Sequence, residues 1–407
     1  MALQKQITWP VLADEHECTA CLACENICGK KAISHFDKPD GHTYVSIDKD
    51  KCIGCLKCQN VCKRSRESFG DNDLNSSKIF AAWAKGEAHR KNATSGGVFA
   101  AFAEHVLDNN GCVIGAELDG FVCKHVAIYE KKDIQRLQGS KYMASSMEDV
   151  YDILKKELPN RDVLFAGLGC QCAGVLAFMP EIKTTHNLYT VDLVCGGIPS
   201  KLLLKRFKEE YPDVTGIVSF RSKDKYELKV QTKSGEKVFS EKSLPLHGFN
   251  CGMTNRYNCY DCQFAKAHRK TDITIGDLWD YSILPDEHKR GISMVIVHSE
   301  NGRKLVNSSA ISIKEILWDG ALLHNKRIVC GHQNIYGPRK KLCELSQNMD
   351  RISFTKLYTI SMGIRDVGLF VFRAMRYVNE RIISEKNKRN ITTMLNRQNK
   401  LKTHMEK

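Results

Sequence analysis

No run of about 18 consecutive apolar residues occurs in the 407-residue sequence, so a membrane-crossing helix is not expected. The N-terminal Met-Ala-Leu-Gln-Lys-Gln is not followed by the apolar core of a secretory signal, and Asp14, Glu15 and Glu17 come early. Without secretory features, disulfides are not expected, and a soluble, cytoplasmic, reducing setting is. Acidic side chains are scarce: 47 Asp and Glu stand against 61 Lys and Arg, a formal net charge of +14. That balance suits nucleic acid, an anionic membrane surface, acidic partners or phosphorylated cofactors. The basic residues are spread along the chain with no RNA- or DNA-binding motif, which sets nucleic acid aside. Hydrophobic content of 42% is ordinary, and the length suggests two to three domains.

Cysteine is abundant, at 18 residues. Cys18, Cys21, Cys24 and Cys28 have the spacing C-x2-C-x2-C-x3-C, and Cys52, Cys55, Cys58 and Cys62 repeat it. Three thiolates at this spacing wrap one corner of an iron–sulfur cube while the fourth reaches the neighbouring cube. The expected ligand sets are Cys18, Cys21, Cys24 and Cys62 for one [4Fe–4S] cluster, and Cys52, Cys55, Cys58 and Cys28 for the other. Zinc gives no reason for two identical four-cysteine runs. The proline that usually follows the fourth cysteine is replaced by Gly29 and Lys63, which loosens the turn but removes no ligand.

Residues 1–75 therefore read as a two-cluster head, with Thr43 to Ile47 as a short covering strand. Polar residues 71–77 read as a linker. A strand at Lys78 to Ala84 precedes Thr94-Ser-Gly-Gly97 and an apolar helix carrying Val98, Phe99, Phe102 and Val106. Thr94 or Ser95 is the natural N-cap. The two glycines suit either a tight packing contact or close approach of the backbone to a phosphate at the helix N-terminus. Residues 111–118 and 121–128 form a hairpin around Asp119-Gly120, with Cys112 and Cys123 as inert core thiols. Gly139-Ser140-Lys141 is a short loop whose cation either is solvated or faces a phosphate.

From about residue 147, helices and strands alternate, which predicts a parallel sheet with covering helices. Ligands in such sheets sit beyond the carboxyl ends of the strands. Cys170 and Cys195 fall there, each just after a strand. With the CxxC of Cys259 and Cys262 they make a four-thiolate set, open to a third iron–sulfur cluster, a zinc staple or no metal. Residues 214–240 read as a β-meander and 293–316 as strand–helix–strand. From Pro338 the chain is helical and basic. The apolar Val367, Leu369, Phe370 and Val371 suit packing on their own domain, or peripheral docking on a membrane or partner. Asp272, Asp277 and His268 lie near the CxxC loop without an assignable acid–base role, so the catalytic residues stay unknown.

Several stretches together resemble the beta subunits of coenzyme F-420-reducing hydrogenase and F-420-dependent dehydrogenases. They are Thr-Ser-Gly-Gly-Val98, Gln-Gly-Ser-Lys-Tyr142, Gly-Leu-Gly-Cys-Gln171, Asp-Leu-Val-Cys-Gly-Gly-Ile-Pro199, Cys-Tyr-Asp-Cys262 and Thr-Asp-Ile-Thr-Ile-Gly-Asp277. Similar bacterial proteins often sit among polysaccharide-biosynthesis genes. The resemblance implies an FAD-dependent oxidoreductase, with Thr94, Ser95, Gly96, Gly97, Gly139, Ser140 and Lys141 holding the FAD phosphates. It also implies that Cys170, Cys195, Cys259 and Cys262 ligate a cluster near the flavin, wired by the head to an external donor such as a ferredoxin or partner subunit. Gly196 stands where relatives often carry His, and Gly-Leu-Gly-Cys170 replaces Gly-Thr-Pro-Cys. The resemblance carries the fold and redox class, but not the identity of the small-molecule substrate or deazaflavin.

The expected fold is α/β (α+β overall): a ferredoxin-type head over residues 1–75, one catalytic domain in parts 78–160 and 161–335, and a basic helical tail at 336–407. The expected function is oxidoreduction of coenzyme F-420 or another small molecule through [4Fe–4S] clusters and FAD. The alternative is a non-catalytic electron-transfer subunit of a larger redox complex.

Overall fold

The computed structural model describes residues 8–331, apart from 68, 224 and 253. These lie in the first of two compact units, Met1–Ile335; the second, Tyr336–Lys407, with the expected basic tail, falls outside the described residues. Among the described residues no helix is long and apolar enough to cross a membrane.

The head folds as two matching halves. Helix α1 (Ala23–Asn26) starts between the second and third cysteines of one run, and helix α2 (Lys57–Arg66) at the same place in the other. The strands β1 (Ile33–Asp37) and β2 (Thr43–Ile47) pair antiparallel between them. Equivalent positions of the two runs share a left-handed backbone: Ala20 and Gly54 at φ 54° and 66°, Leu22 and Leu56 both at 60°. Each non-glycine residue there costs roughly 1–3 kcal/mol. The return is a backbone that curls its N–H groups inward, a nest of the kind that surrounds iron–sulfur clusters.

A two-residue strand β3 (Gly70–Asp71) leaves the head, and β4 (Lys78–Ala84) enters the core. The short helix α3 (Glu87–Lys91) then leads to α4 (Val98–Asp108). Strands β5 (Cys112–Asp119) and β6 (Val122–Ile128) form the predicted hairpin, followed by α5 (Ile134–Leu137) and α6 (Val150–Glu157). Next come β7 (Val163–Leu168), α7 (Gly169–Phe178), β8 (Leu188–Leu193) and α8 (Leu202–Glu210). Strands β9 (Val214–Ser219), β10 (Glu227–Thr232) and β11 (Gly235–Ser240) are the predicted meander, closed by α9 (Leu244–Cys251). The chain continues through β12 (His268–Arg269), β13 (Ile273–Asp277), α10 (Pro285–His288), β14 (Ser293–Val297), α11 (Glu300–Ser308) and β15 (Ile311–Glu315).

The central sheet has eight strands in the order β15-β4-β14-β13-β8-β7-β5-β6. It is mixed: parallel, as expected, where helices and strands alternate, and antiparallel toward both edges. Parallel pairs link β13, β8, β7 and β5 in turn; β14, β4, β15 and β6 pair antiparallel with their neighbours. The alternating helices and strands supply the parallel centre, while β4 returns to pair with β14 and β15 from the far end of the core. The overall class is mixed α/β with an N-terminal ferredoxin-type region.

Both faces of the sheet are covered. On one, α4 buries Val98, Phe102 and Val106 at four-residue spacing, beside Leu305 and Val306 of α11. On the other, α6 and α7 pack Tyr151, Leu154, Val175 and Phe178 against Leu22, Ala23 and Val61 of the head. The head is thus part of the core of the molecule. Helix α7 starts where β7 ends because the Gln171 side chain folds back to accept from the Leu168 N–H at 2.9 Å.

Candidate redox site

In the head, Cys18, Cys21 and Cys24 lie within electrostatic reach of Cys62, and Cys58 within reach of Cys28, Cys52 and Cys55. The fourth cysteine of each run stands beside the first three of the other. Cys24 also feels Cys58, so the two groups adjoin. Backbone N–H groups point at the sulfurs: Ala13 donates to Cys62 Sγ at 3.4 Å and Ala32 to Cys28 Sγ at 3.3 Å.

A third group of thiols lies deeper. Cys170 sits in the first turn of α7, Cys195 just past β8, and Cys259 and Cys262 on the loop before β12. Cys170 lies within electrostatic reach of Cys195, Cys262 and Cys259, and of Cys21 of the head. The Gly197 N–H donates to Cys195 Sγ at 3.3 Å and the Ile198 N–H to Cys259 Sγ at 3.4 Å. Burial pushes the Cys195 thiol up to about 11 and Cys259 to about 12, and holds Cys170 well above its ordinary range. Neighbouring thiolates push the same way, so these groups ionise readily only around a cationic centre. Arg269 and Arg327 place positive charge beside Cys195, and Arg269 beside Cys262.

A cavity of about 390 Å³ opens past the carboxyl ends of β7 and β8, with Cys195 in its wall. Thr94, Ser95 and Gly97 line one side and Gly139, Ser140 and Lys141 another. Thr94 Oγ1 and Ser140 Oγ are hydrogen-bonded at 3.0 Å. Gly96 faces away: its N–H donates to Ser293 Oγ at 3.0 Å, and a Cβ there would lie 2.5 Å from the Ala82 carbonyl oxygen. The expected N-cap is corrected as well. Gly97, at φ 78°, caps α4 without a side-chain hydrogen bond, because Thr94 is engaged by Ser140 and Ser95 Oγ donates to the Ile292 carbonyl at 2.7 Å. The first turn of α4 is left without a side-chain cap, and Gly97, Val98 and Phe99 line the cavity. The Lys141 ammonium bends inward onto the carbonyls of Leu137 and Gln138, at 2.9 and 2.8 Å, and burial lowers its pKa to about 8.

Sequence reasoning missed the aromatic wall. Tyr142 and Phe249 stack at 4.1 Å and 12°, with Tyr226 parallel to Tyr142 at 5.9 Å. Arg221, 6% exposed, donates to Asp277 Oδ2 at 2.8 Å and to the Thr94 carbonyl at 2.9 Å. Its guanidinium lies over Tyr226 and Trp279, at 5.3 and 5.7 Å from the ring centroids. Tyr142 and Asp277 closed two of the motifs quoted above, which was the available signal; Arg221 and Phe249 carried none. Asp272 instead ties β8 to the start of α11, accepting from Thr190 N–H and Oγ1 at 2.7 and 2.8 Å and from Ser299 Oγ. His268 Nδ1 is hydrogen-bonded to Ser77 Oγ at 2.8 Å, away from the cavity lining. Cys112 and Cys123 are buried, with thiols pushed up to about 12 and 11.

Fold and thiols together define an iron–sulfur protein of oxidoreductase type. The chain belongs to the coenzyme F420 hydrogenase/dehydrogenase beta-subunit family: the family's C-terminal model matches residues 160–316 and its N-terminal model residues 79–151. A 4Fe-4S dicluster domain matches residues 17–65. No curated protein matches the chain. Among solved structures, a chain of the F420-reducing [NiFe] hydrogenase complex from Methanosarcina barkeri, studied by xenon derivatization, aligns at 17% identity and a TM-score of 0.45, covering 66% of this chain and 89% of that one. Among the described residues, no three His, Cys, Asp or Glu side chains form a group that could hold one metal ion. The dicluster cysteines share that property, as thiolates at the corners of a cube must stand farther apart than ligands of one ion.

Proposed function

We propose that the chain is an iron–sulfur flavoenzyme, with two [4Fe–4S] clusters in the head, a third on Cys170, Cys195, Cys259 and Cys262, and FAD in the 390 Å³ cavity. The observation that carries this reading is the order of the thiols. The two head groups adjoin at Cys24 and Cys58, the inner one meets the third group at Cys21 and Cys170, and the third reaches the cavity wall at Cys195. When bound, the clusters would pass single electrons, and the flavin would exchange them for the two-electron chemistry of a small-molecule substrate.

The residues suit those groups. The uncapped first turn of α4, with Thr94 and Ser140, offers donors for the flavin phosphates. Gly139 joins that side, whereas Lys141 contributes by holding the loop on its own carbonyls. Tyr142 and Phe249 offer a flat aromatic face, and the cavity volume falls within the usual range for ligand sites. The substrate in this reading is coenzyme F-420 or another small molecule, such as an intermediate of polysaccharide synthesis. A reducing cytoplasm and an external donor, a ferredoxin or partner subunit, complete the reading.

Iron, acid-labile sulfide and released flavin in one anaerobically purified sample test it. About twelve irons and one FAD per chain are expected, falling to about eight irons in Cys170→Ser with the head signals kept. About eight irons in the parent chain, with no flavin uptake, would favour a non-catalytic electron-transfer subunit.

A further inference from the structure

A second cavity, of about 450 Å³, opens between the head and the core. Thr19 and Ala20 of the head form one wall, and Cys170 and the start of α7 face it. Met143, Ser145 and Gln171 belong to the walls of both cavities, so the two are neighbours across a thin partition.

The charge around this space is one-sided. Lys201, Lys205, Lys208 and Arg256 line it, and Glu148 is the sole carboxylate among the lining residues. Lys201 is engaged by Asp37, with both carboxylate oxygens at 2.8 Å, and so pins α8 to the head. Lys205 and Lys208, three residues apart on α8 and therefore on one face, join no ion pair among the described residues; Lys208 lies 5.0 Å from the Phe121 ring centroid.

Arg256 is the stronger observation. It is 3% exposed, its Nη1 donates to the Thr43 and Cys18 carbonyls at 2.8 and 3.4 Å, and its Nε has no hydrogen-bond partner. A buried charged donor without an acceptor is costly, and an oxyanion in the cavity would supply the acceptor. Two exposed ammonium groups at the rim and, inside, a guanidinium whose Nε lacks an acceptor make a site for negative charge.

We infer that this cavity binds a small organic anion, bearing a phosphate or carboxylate group, through Lys205, Lys208 and Arg256. The ligand sits against Cys170 and beside the partition to the first cavity. The site requires the head, because Thr19 and Ala20 close it. It does not depend on flavin binding.

Calorimetric titration of the full-length chain with inorganic pyrophosphate and, separately, with citrate tests the site at low ionic strength, with and without excess FAD. At least one anion is expected to bind, tenfold or more weakly in Lys205→Gln/Lys208→Gln and unchanged in Lys233→Gln, a lysine on neither cavity. Which probe binds distinguishes a phosphate site from a carboxylate site. Binding of neither anion, or equal binding by parent and double variant, overturns the inference. Competition by FAD, or loss of FAD uptake in the double variant, also overturns it, because the lysines would then serve the flavin. If the parent chain takes up no FAD, the flavin reading fails while the anion titration stays readable.

Discussion

Gly174 of α7 lies so close to Cys21 that a Cβ on the glycine would stand 2.7 Å from the Cys21 Cβ and 3.0 Å from its Sγ. Cys170 is one turn earlier on the same helix, so the face that meets the head is the face that carries the third thiol group. The Tyr151 hydroxyl closes the contact by donating to the Cys21 carbonyl at 2.6 Å. Gly174→Val is expected to cost about 1–3 kcal/mol by overpacking. It should also slow reduction of the core by the head, which stopped-flow absorbance would detect; unchanged stability and rate would show that the approach is not required.

Arg221 and Asp277 form a pair in which Arg221 is almost fully buried and a quarter of the Asp277 side chain is exposed. Arg221→Leu leaves that carboxylate and the Thr94 carbonyl without their donor. A loss of about 2–3 kcal/mol is expected in urea unfolding, below that of a fully buried pair because water reaches Asp277. Arg221→Lys should recover part of it, since an ammonium keeps the charge but not the forked geometry.

Gly196 has the Phe249 ring in the place a side chain would need: a Cβ would lie 2.8 Å from Phe249 Cζ. Gly196→His is therefore expected to push Phe249 off Tyr142 and to weaken FAD binding about tenfold, at the low end of overpacking costs. Flavin fluorescence titration measures this; tighter binding would mean that the aromatic stack does not serve the flavin.

His125 is buried against Phe165, with ring centroids 5.4 Å apart, and burial lowers its pKa to about 4. It stays neutral in the fold and takes up a proton in the unfolded chain below about 6.5. Its contribution is therefore complete above pH 6.5 and is lost as the pH falls toward 4, on the order of 3 kcal/mol in total. Urea unfolding of the parent and His125→Gln at pH 7, 6 and 5 should show the parent losing stability faster as the pH drops. Parallel profiles would mean that His125 is already solvated.

The head was legible because cluster ligation is local: the spacing of Cys18 to Cys28 and of Cys52 to Cys62 is itself the geometry of a thiolate corner. The hairpin about Asp119-Gly120 and the parallel strands β7 and β8 were legible for the same reason, since turn chemistry and alternating apolar runs act over a few residues. The antiparallel half of the sheet was not. Strand β4 pairs with β14 and β15, more than two hundred residues away, and nothing in Lys78 to Ala84 records that choice. The cap on α4 was misread because local preference favours a hydroxyl there, while Ser140 and Ile292 engage both hydroxyls first. The aromatic wall joins residues from separate segments, so only the fold could assemble it.

The shortest strand pair has a consequence for how the protein works. Strand β3 pairs with β12, and Gly70 lies so close under its partner that a Cβ would stand 1.9 Å from the His268 carbonyl oxygen. This ribbon stitches the exit of the head to the segment that follows Cys262. A ferredoxin that diffuses must find its acceptor by collision, and its rate falls with dilution. In the proposed function the head donates to the third thiol group at one fixed separation, so the transfer between them would be first order and its rate independent of protein concentration.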